Sequence, residues 1–569
     1  MSTLEHAACT VERDRARHPT AALAPALAAL LAALVPTTAS AQINSNADLE
    51  RAVRQRFDGD RVARCLAVAY VGEKTSKAFV CSDPTRAQAM GDNTAFEIGS
   101  ISKTMLAFLV ADLVEQGKMK LNDPLQKYLP EGSVVPMWNG KFVTVQHVLT
   151  HTSGIPRLPS GMETANPENP YAALTPALLL ERLKSAKLTN EPGSKFEYSN
   201  FAAMALSLAV THTAKQDFEA LLKRRLFEPI GMNNAYLTKP AAHVRAAEGH
   251  NTSRKPMPPW TIATDLAGVG MVRATLDDMA AYARAAIAKP GTRETSLITT
   301  TQQSLYKSGA EDVGMNWFRR KLADGVEVAE HGGGTGGFSS YIVTDRANAR
   351  AVVVLSDTAG GGIGKFADSL LDAKENPGVA RRMASPDKAL LESLIGDYTI
   401  GGTLPATLRT RDGKLYIQAE GQPEFELGYD TSGDFFVLNF DAALKREGTG
   451  ASAKLSWAQG GGLVPFTRRD PASAKLAEAK SYKVATEKLA EYPGVFPLSP
   501  TFKLTFTVAV QTLMAQATGQ GAFPLTAVSD DHFAATALGV KVWFKRGADG
   551  RVNAIRFVQG GNDIVANRE

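Results

Sequence analysis

The chain has little cysteine, no long run of one charge and no long apolar stretch. Three cysteines in 569 residues exclude a disulfide-dense scaffold. Lys plus Arg number 63 and Asp plus Glu 58, a net charge of +5, and no five basic residues stand together. A nucleic-acid partner is therefore not expected. No stretch reaches about 18 consecutive apolar residues, so no membrane span is expected either. His147 and His151 stand four apart, a spacing that could hold a metal on a helix, but no HExxH motif is present. Neither a metal nor a cofactor is expected. What remains is ordinary globular composition, 44% hydrophobic and 21% charged, which excludes disorder and collagen. At roughly 150 residues per domain, the length suggests three to four domains.

The N-terminus reads as a targeting segment. Arg13, Arg15 and Arg17 precede an apolar run of small residues from Ala21 to Val35, and Ala39-Ser40-Ala41 follows. A basic stretch, a short apolar run and a small-x-small site describe a cleavable signal peptide over 1–41, with the mature chain starting at Gln42 and a periplasmic or secreted destination. The run is too short for a stable span and contains Pro25; a buried N-terminal helix is the other reading. Cys65 and Cys81 survive processing. They flank two apolar runs about a turn near Glu73, and antiparallel pairing puts them opposite each other. An oxidising compartment permits a disulfide there, worth about 3 kcal/mol by loop closure; two buried free thiols are the alternative.

Residues 42–372 read as one unit. Strand-like segments at Cys65–Val71 and Ala78–Val80 precede helical spacing in Lys103–Lys118, Ala202–Ala214 and Leu276–Ala288. Strands return at Ser340–Thr344 and Ala351–Ser356. That order predicts an α+β fold, one sheet with helices packed on it. Residues 373–388 read as a polar linker. The remainder is a repeat. LYIQAEGQPEFEL from Leu415 recurs 98 residues later as LMAQATGQGAFPL from Leu513, Gln459-Gly460-Gly461 recurs at Gln559, and Arg468 recurs as Arg568. Short alternating segments broken by Gly, Asp and Asn predict two small antiparallel β-barrels, 389–470 and 488–569. Residues 471–487 join them, with a helix as one reading.

Three local motifs carry chemistry. The first is FEIGSISKT, with Ser100 and Lys103 in Ser-x-x-Lys spacing. On a helix starting near Ser100 the lysine nitrogen lies one turn on and on the same face, within reach of the hydroxyl. A helix N-terminus and burial both disfavour a protonated lysine, leaving an amine able to accept a proton. Gly99 would let the backbone turn sharply. A capping serine followed by a surface lysine is the plain alternative. The second motif is Tyr198-Ser199-Asn200 before an apolar helix. A tyrosine beside a cationic lysine could ionise and act as a second base, and Asn200 offers a donor and an acceptor for a substrate amide. Helix capping is the plain alternative. The third is HGGGTGGFSSYIV from His331, whose glycines free main-chain N–H groups for a substrate. No Lys-Ser/Thr follows as a phosphate loop would need. A glycine-rich hairpin is the plain alternative.

Taken together, in this order and spacing, the motifs resemble the serine beta-lactamase and penicillin-recognising superfamily, in its class C beta-lactamase-like branch. HVLTHTSGIP at 147–156 and AGVGMVRATLDDMAAYA at 267–283 belong to the same resemblance. It covers about residues 50–372, and the repeats look like the lipocalin-like barrels appended to D-aminopeptidases of that branch. The resemblance implies an α/β/α sandwich with an antiparallel sheet. It implies acyl transfer through Ser100, with Lys103 and Tyr198 moving protons and either one serving as base. It also implies an oxyanion hole from the Ser100 and Gly334 N–H groups, and substrate binding by Asn200, His331 and Gly333. The branch's lactamases usually carry lysine where His331 stands. A mostly neutral histidine points away from efficient lactamase action and towards peptides, amides or esters. The expected substrates are short or D-residue-containing peptides, linearised cyclic peptides among them. A carboxylesterase or weak beta-lactamase on the same site, and a non-enzymatic ligand- or cell-wall-binding protein, are the alternatives. A homodimer is left open.

Overall fold

The structure, a computed structural model, describes residues 43–569 apart from 83–89, parts of 161–167, residue 361 and short loop segments of the C-terminal third, of which 470–481 is the longest. Residues 1–41, expected from sequence to be a signal peptide, and most of the 471–487 connection lie outside the described residues; Thr486–Leu489 is a short helix.

Eight strands form the main sheet, every neighbouring pair antiparallel. They are β1 (Cys65–Val71), β2 (Thr75–Cys81), β3 (Tyr306–Ser308), β4 (Glu311–Val313), β5 (Phe318–Lys321), β6 (Glu327–Gly334), β7 (Ser339–Asp345) and β8 (Arg350–Ser356). Their spatial order is β2-β1-β8-β7-β6-β5-β4-β3. The first and last strands of the chain segment thus meet in mid-sheet, Val68 opposite Val354. In β8 the side chains alternate: Val352 and Val354 enter one core with Leu49, Val53 and Phe366, while Val353 and Leu355 enter the other with Met105, Phe108 and Tyr282.

Helices cover both faces. On one lie α1 (Asn46–Phe57) and, at the end of the segment, Ile363–Leu371. On the other lie α2 (Ser102–Glu115), α3 (Asn200–Ala214) and α4 (Leu276–Ile287). Both α2 and α3 are apolar nearly all round, which is why each is buried on every side rather than along a stripe. Cys65 pairs with Cys81 in the β1–β2 register, and their sulfurs are bonded.

The repeat builds two barrels. In the first, Gly396–Ile400 pairs with both Leu404–Arg411 and the final strand Gly462–Arg468, closing eight strands. The second runs as eight strands from Gly494–Ser499 to Asn562–Asn567, and the Glu569 N–H donates to the Val495 carbonyl. In each copy the terminal arginine lies across the opening glycine. A Cβ on Gly396 would stand 2.6 Å from Arg468 Nη1, and one on Gly494 2.5 Å from Arg568 Nε. Side chains fill both interiors, Tyr398 stacked on Phe466 in one and Tyr492, Phe496, Phe506 and Phe544 in the other. Arg61 ties the sheet segment to the first barrel, pairing with Asp430 at 2.7 Å and lying 3.4 Å from the Phe436 ring centroid. Among the described residues no helix is long and apolar enough to cross a membrane.

Candidate active site

Ser100 sits in a single tight turn, Gly99–Ile101, that leads into α2. Gly99 has φ +51°, and a Cβ there would stand 2.5 Å from the Gly334 nitrogen, so only glycine fits. Neighbours pin the turn. Ser102 Oγ donates to the Gly99 carbonyl (2.7 Å) and accepts from the Val272 N–H (3.1 Å). One helical step on, Lys103 is fully buried, with Nζ 3.1 Å from Ser100 Oγ and 2.5 Å from the Val269 carbonyl. Burial, reinforced by the positive charge of Arg157, holds its pKa well below that of an ordinary lysine. Burial therefore favours the neutral amine, whose lone pair can accept the serine proton.

Tyr198 ends the segment before α3, and its ring centroid lies 5.0 Å from Lys103 Nζ. Its phenol is hydrogen-bonded to Ser100, and burial pushes its pKa far above the usual range. An ionised tyrosine beside a cationic lysine is the expectation from sequence, and burial works against both of those charged forms. Burial favours the neutral form of each group, the free amine of Lys103 and the protonated phenol of Tyr198. Ser199 caps α3, accepting from the Ala202 N–H (2.9 Å) and donating to the Pro156 carbonyl (2.7 Å). Asn200 donates through Nδ2 to Tyr171 Oη (3.1 Å), while its Oδ1 is buried with no hydrogen-bond partner among the described residues. That oxygen is an open acceptor.

The glycine run closes the opposite wall. β6 extends past β5, whose pairing with it stops at Glu330, so His331–Gly334 keep one edge free. Thr335 N–H bonds the Phe338 carbonyl (3.0 Å). By the alternation of an antiparallel ladder, the Gly334 N–H then turns away from β7, towards the Ser100 turn. Gly333 presses on that turn: a Cβ there would meet the Ile98 carbonyl oxygen at 2.0 Å and Ser340 Oγ at 2.2 Å. Ser340 Oγ already donates to the Ile98 carbonyl (2.7 Å). His331 is buried against Phe318 (5.0 Å between centroids) and donates from Nδ1 to its neighbour's carbonyl, Gly332 O, at 2.7 Å. Burial, with Lys103 adding to it, lowers its pKa to about 3, so it is neutral at pH 7.

Three participants were not picked out from sequence. His151 stacks on Tyr198 at 4.2 Å and accepts the Ser199 N–H through Nδ1 (3.3 Å). His147 instead caps its own helix, accepting from the Thr144 N–H (3.2 Å). Arg157 places its guanidinium 5.4 Å from the Tyr198 centroid. The Val269 carbonyl orients Lys103. His151 and Val269 lie in stretches that carry the family resemblance, but the roles of all three depend on contacts between distant segments.

As a whole, the arrangement can take a proton from Ser100, hold an oxyanion between main-chain N–H groups and return the proton through a phenol. The beta-lactamase family profile matches residues 49–374. The D-alanyl-D-alanine-carboxypeptidase/endopeptidase AmpH of Escherichia coli (strain K12) is 26% identical over 279 residues, 46% of this chain and 71% of that protein. A beta-lactamase of the same strain is 25% identical over 295 residues, 51% of this chain and 75% of that protein. A solved beta-lactamase/D-alanine carboxypeptidase from Yersinia pestis, complexed with citrate, aligns with a TM-score of 0.47 at 23% identity, covering 56% of this chain and 95% of that one. With the profile spanning more than half of its length and Ser100, Lys103 and Tyr198 gathered at one turn, the chain belongs to the beta-lactamase family of serine hydrolases.

Proposed function

We propose that this chain is an exported hydrolase that cleaves amide bonds of short or D-residue-containing peptides through an acyl-Ser100 intermediate. In this reading residues 42–372 do the chemistry, and the barrels at 389–470 and 488–569 flank it. The observation that carries it is the fully buried Lys103 amine 3.1 Å from Ser100 Oγ. Lys103 takes the hydroxyl proton as Oγ attacks the carbonyl carbon. The oxyanion rests between the N–H groups of Ser100 and Gly334, donors worth about 3 kcal/mol each in the transition state. Tyr198, still protonated, gives its proton to the leaving nitrogen as the C–N bond breaks and recovers one from Lys103. Water then adds to the ester carbon by the reverse relay, freeing the acid and Ser100.

The open Oδ1 of Asn200 supports a peptide over a simple ester, because it needs an N–H donor and an ester supplies none at that bond. The neutral His331 supports the same choice over a beta-lactam, whose acid group would gain no charge partner from it. A relative named for carboxypeptidase and endopeptidase activity agrees. The test is a screen of D- and L-aminoacyl amides, short peptides, nitrophenyl esters and a chromogenic cephalosporin. Peptides or amides are expected to show the highest kcat/KM. Turnover confined to the nitrophenyl esters would replace this reading with a carboxylesterase.

A further inference from the structure

The charges around the site are of one sign. Arg157 acts electrostatically on Lys103, His151, Tyr198 and Tyr171, and among the described residues no carboxylate acts on any of the four. Glu197, the acid adjacent to Tyr198 in sequence, is held by Thr189, Asn190 and Lys195. Glu97, three residues before Ser100, is paired with Arg273 at 2.9 Å. An incoming ammonium group would therefore find no counter-charge, whereas an incoming carboxylate would find Arg157.

Arg157 is placed for that task. Its carbonyl accepts the N–H groups of Asn200 (3.0 Å) and Phe201 (3.2 Å), which fixes its backbone to the first turn of α3. Its side chain is exposed. Among the described residues the guanidinium has no acidic partner, and its packing contact is the Tyr198 ring at 5.4 Å. Tyr198 is the group that protonates the leaving nitrogen in the mechanism above. In this reading a carboxylate one carbon from that nitrogen would meet the guanidinium, whose paired N–H groups match its two oxygens.

We propose that Arg157 is the specificity-determining residue of this site, selecting substrates whose leaving amine carries a free carboxylate. The proposal rests on the acyl-serine reading. When Oγ bonds to the carbonyl carbon and the C–N bond breaks, the nitrogen takes the Tyr198 proton. The released amino acid departs with its carboxylate against Arg157.

Matched peptides ending in a free carboxylate or a carboxamide test this, with the ratio of kcat/KM taken within each protein. A partly folded variant therefore still reports. The wild type is expected to favour the acid by about 10- to 100-fold, the size of one charge-assisted contact. Arg157→Ala should bring the ratio close to one, Arg157→Glu should invert it, and Arg157→Lys should retain part of it. A wild-type ratio near one, or a ratio that none of these changes moves, overturns the proposal. Wild-type labelling by a neutral fluorophosphonate separates the two failures. Labelling at Ser100 with a flat ratio removes only the role of Arg157, and no labelling removes the acyl-serine reading beneath it.

Discussion

Lys103→Met is expected to slow acylation of Ser100 by about 10²- to 10⁴-fold, the range for loss of a general base. Methionine is unbranched and fills much of the same buried volume, so the loss reports the amine rather than a cavity. The pH dependence carries the same information with a definite sign. The Lys103 pKa is depressed by burial, and its working form is neutral. Wild-type acylation should therefore fall as pH drops through that depressed pKa and level off above it. In Lys103→Met that limb should vanish.

Stability shows the counterpart. Between the folded pKa and the unfolded value of about 10.4, the unfolded chain binds a proton that the native chain does not, so stability rises with pH across that window. The variant should lose this contribution to the slope, measurable by denaturant unfolding at several pH values. A variant that retains wild-type acylation rates would remove Lys103 from the mechanism.

Gly333→Ala is expected to cost about 3 kcal/mol of stability and 10²- to 10³-fold in kcat. The new methyl would fall 2.0 Å from the Ile98 carbonyl oxygen, which is backbone and cannot swing aside. Relief requires β6 to lift from the Ser100 turn, carrying the Gly334 N–H out of line with the oxyanion. Gly332→Ala is the control. Its Cβ would meet nothing closer than Tyr341 Cδ2 at 3.7 Å, so it should stay within about 1 kcal/mol of wild type. Denaturant midpoints and kcat for the pair test this. Equal effects at the two positions would mean that the tight approach of strand and turn does not matter.

Much of the site is legible in the sequence because its parts are local. Ser100 and Lys103 are one helical step apart, Tyr198 and Asn200 bracket a capping serine, and the glycines after His331 are consecutive. The barrels are legible because the chain repeats itself, so that Leu415 opposite Leu427 has a counterpart in Leu513 opposite Leu525. The lowered lysine pKa is legible from its place at a buried helix start, but the state of the tyrosine is not, since it depends on how completely neighbours bury the phenol. Tyr198 shows this: its two flanking residues say nothing of the burial that keeps it protonated. Arg157 escaped for a related reason. In sequence it is one more basic residue after a family motif, and only the fold sets it against the tyrosine ring 41 positions on.

Mass spectrometry of the protein after reaction with a fluorophosphonate or penicillin probe tests the central claim most directly. One adduct per chain is predicted, on the peptide containing Ser100, and none in Ser100→Ala. An adduct on another residue, or labelling that persists in that variant, would contradict the account.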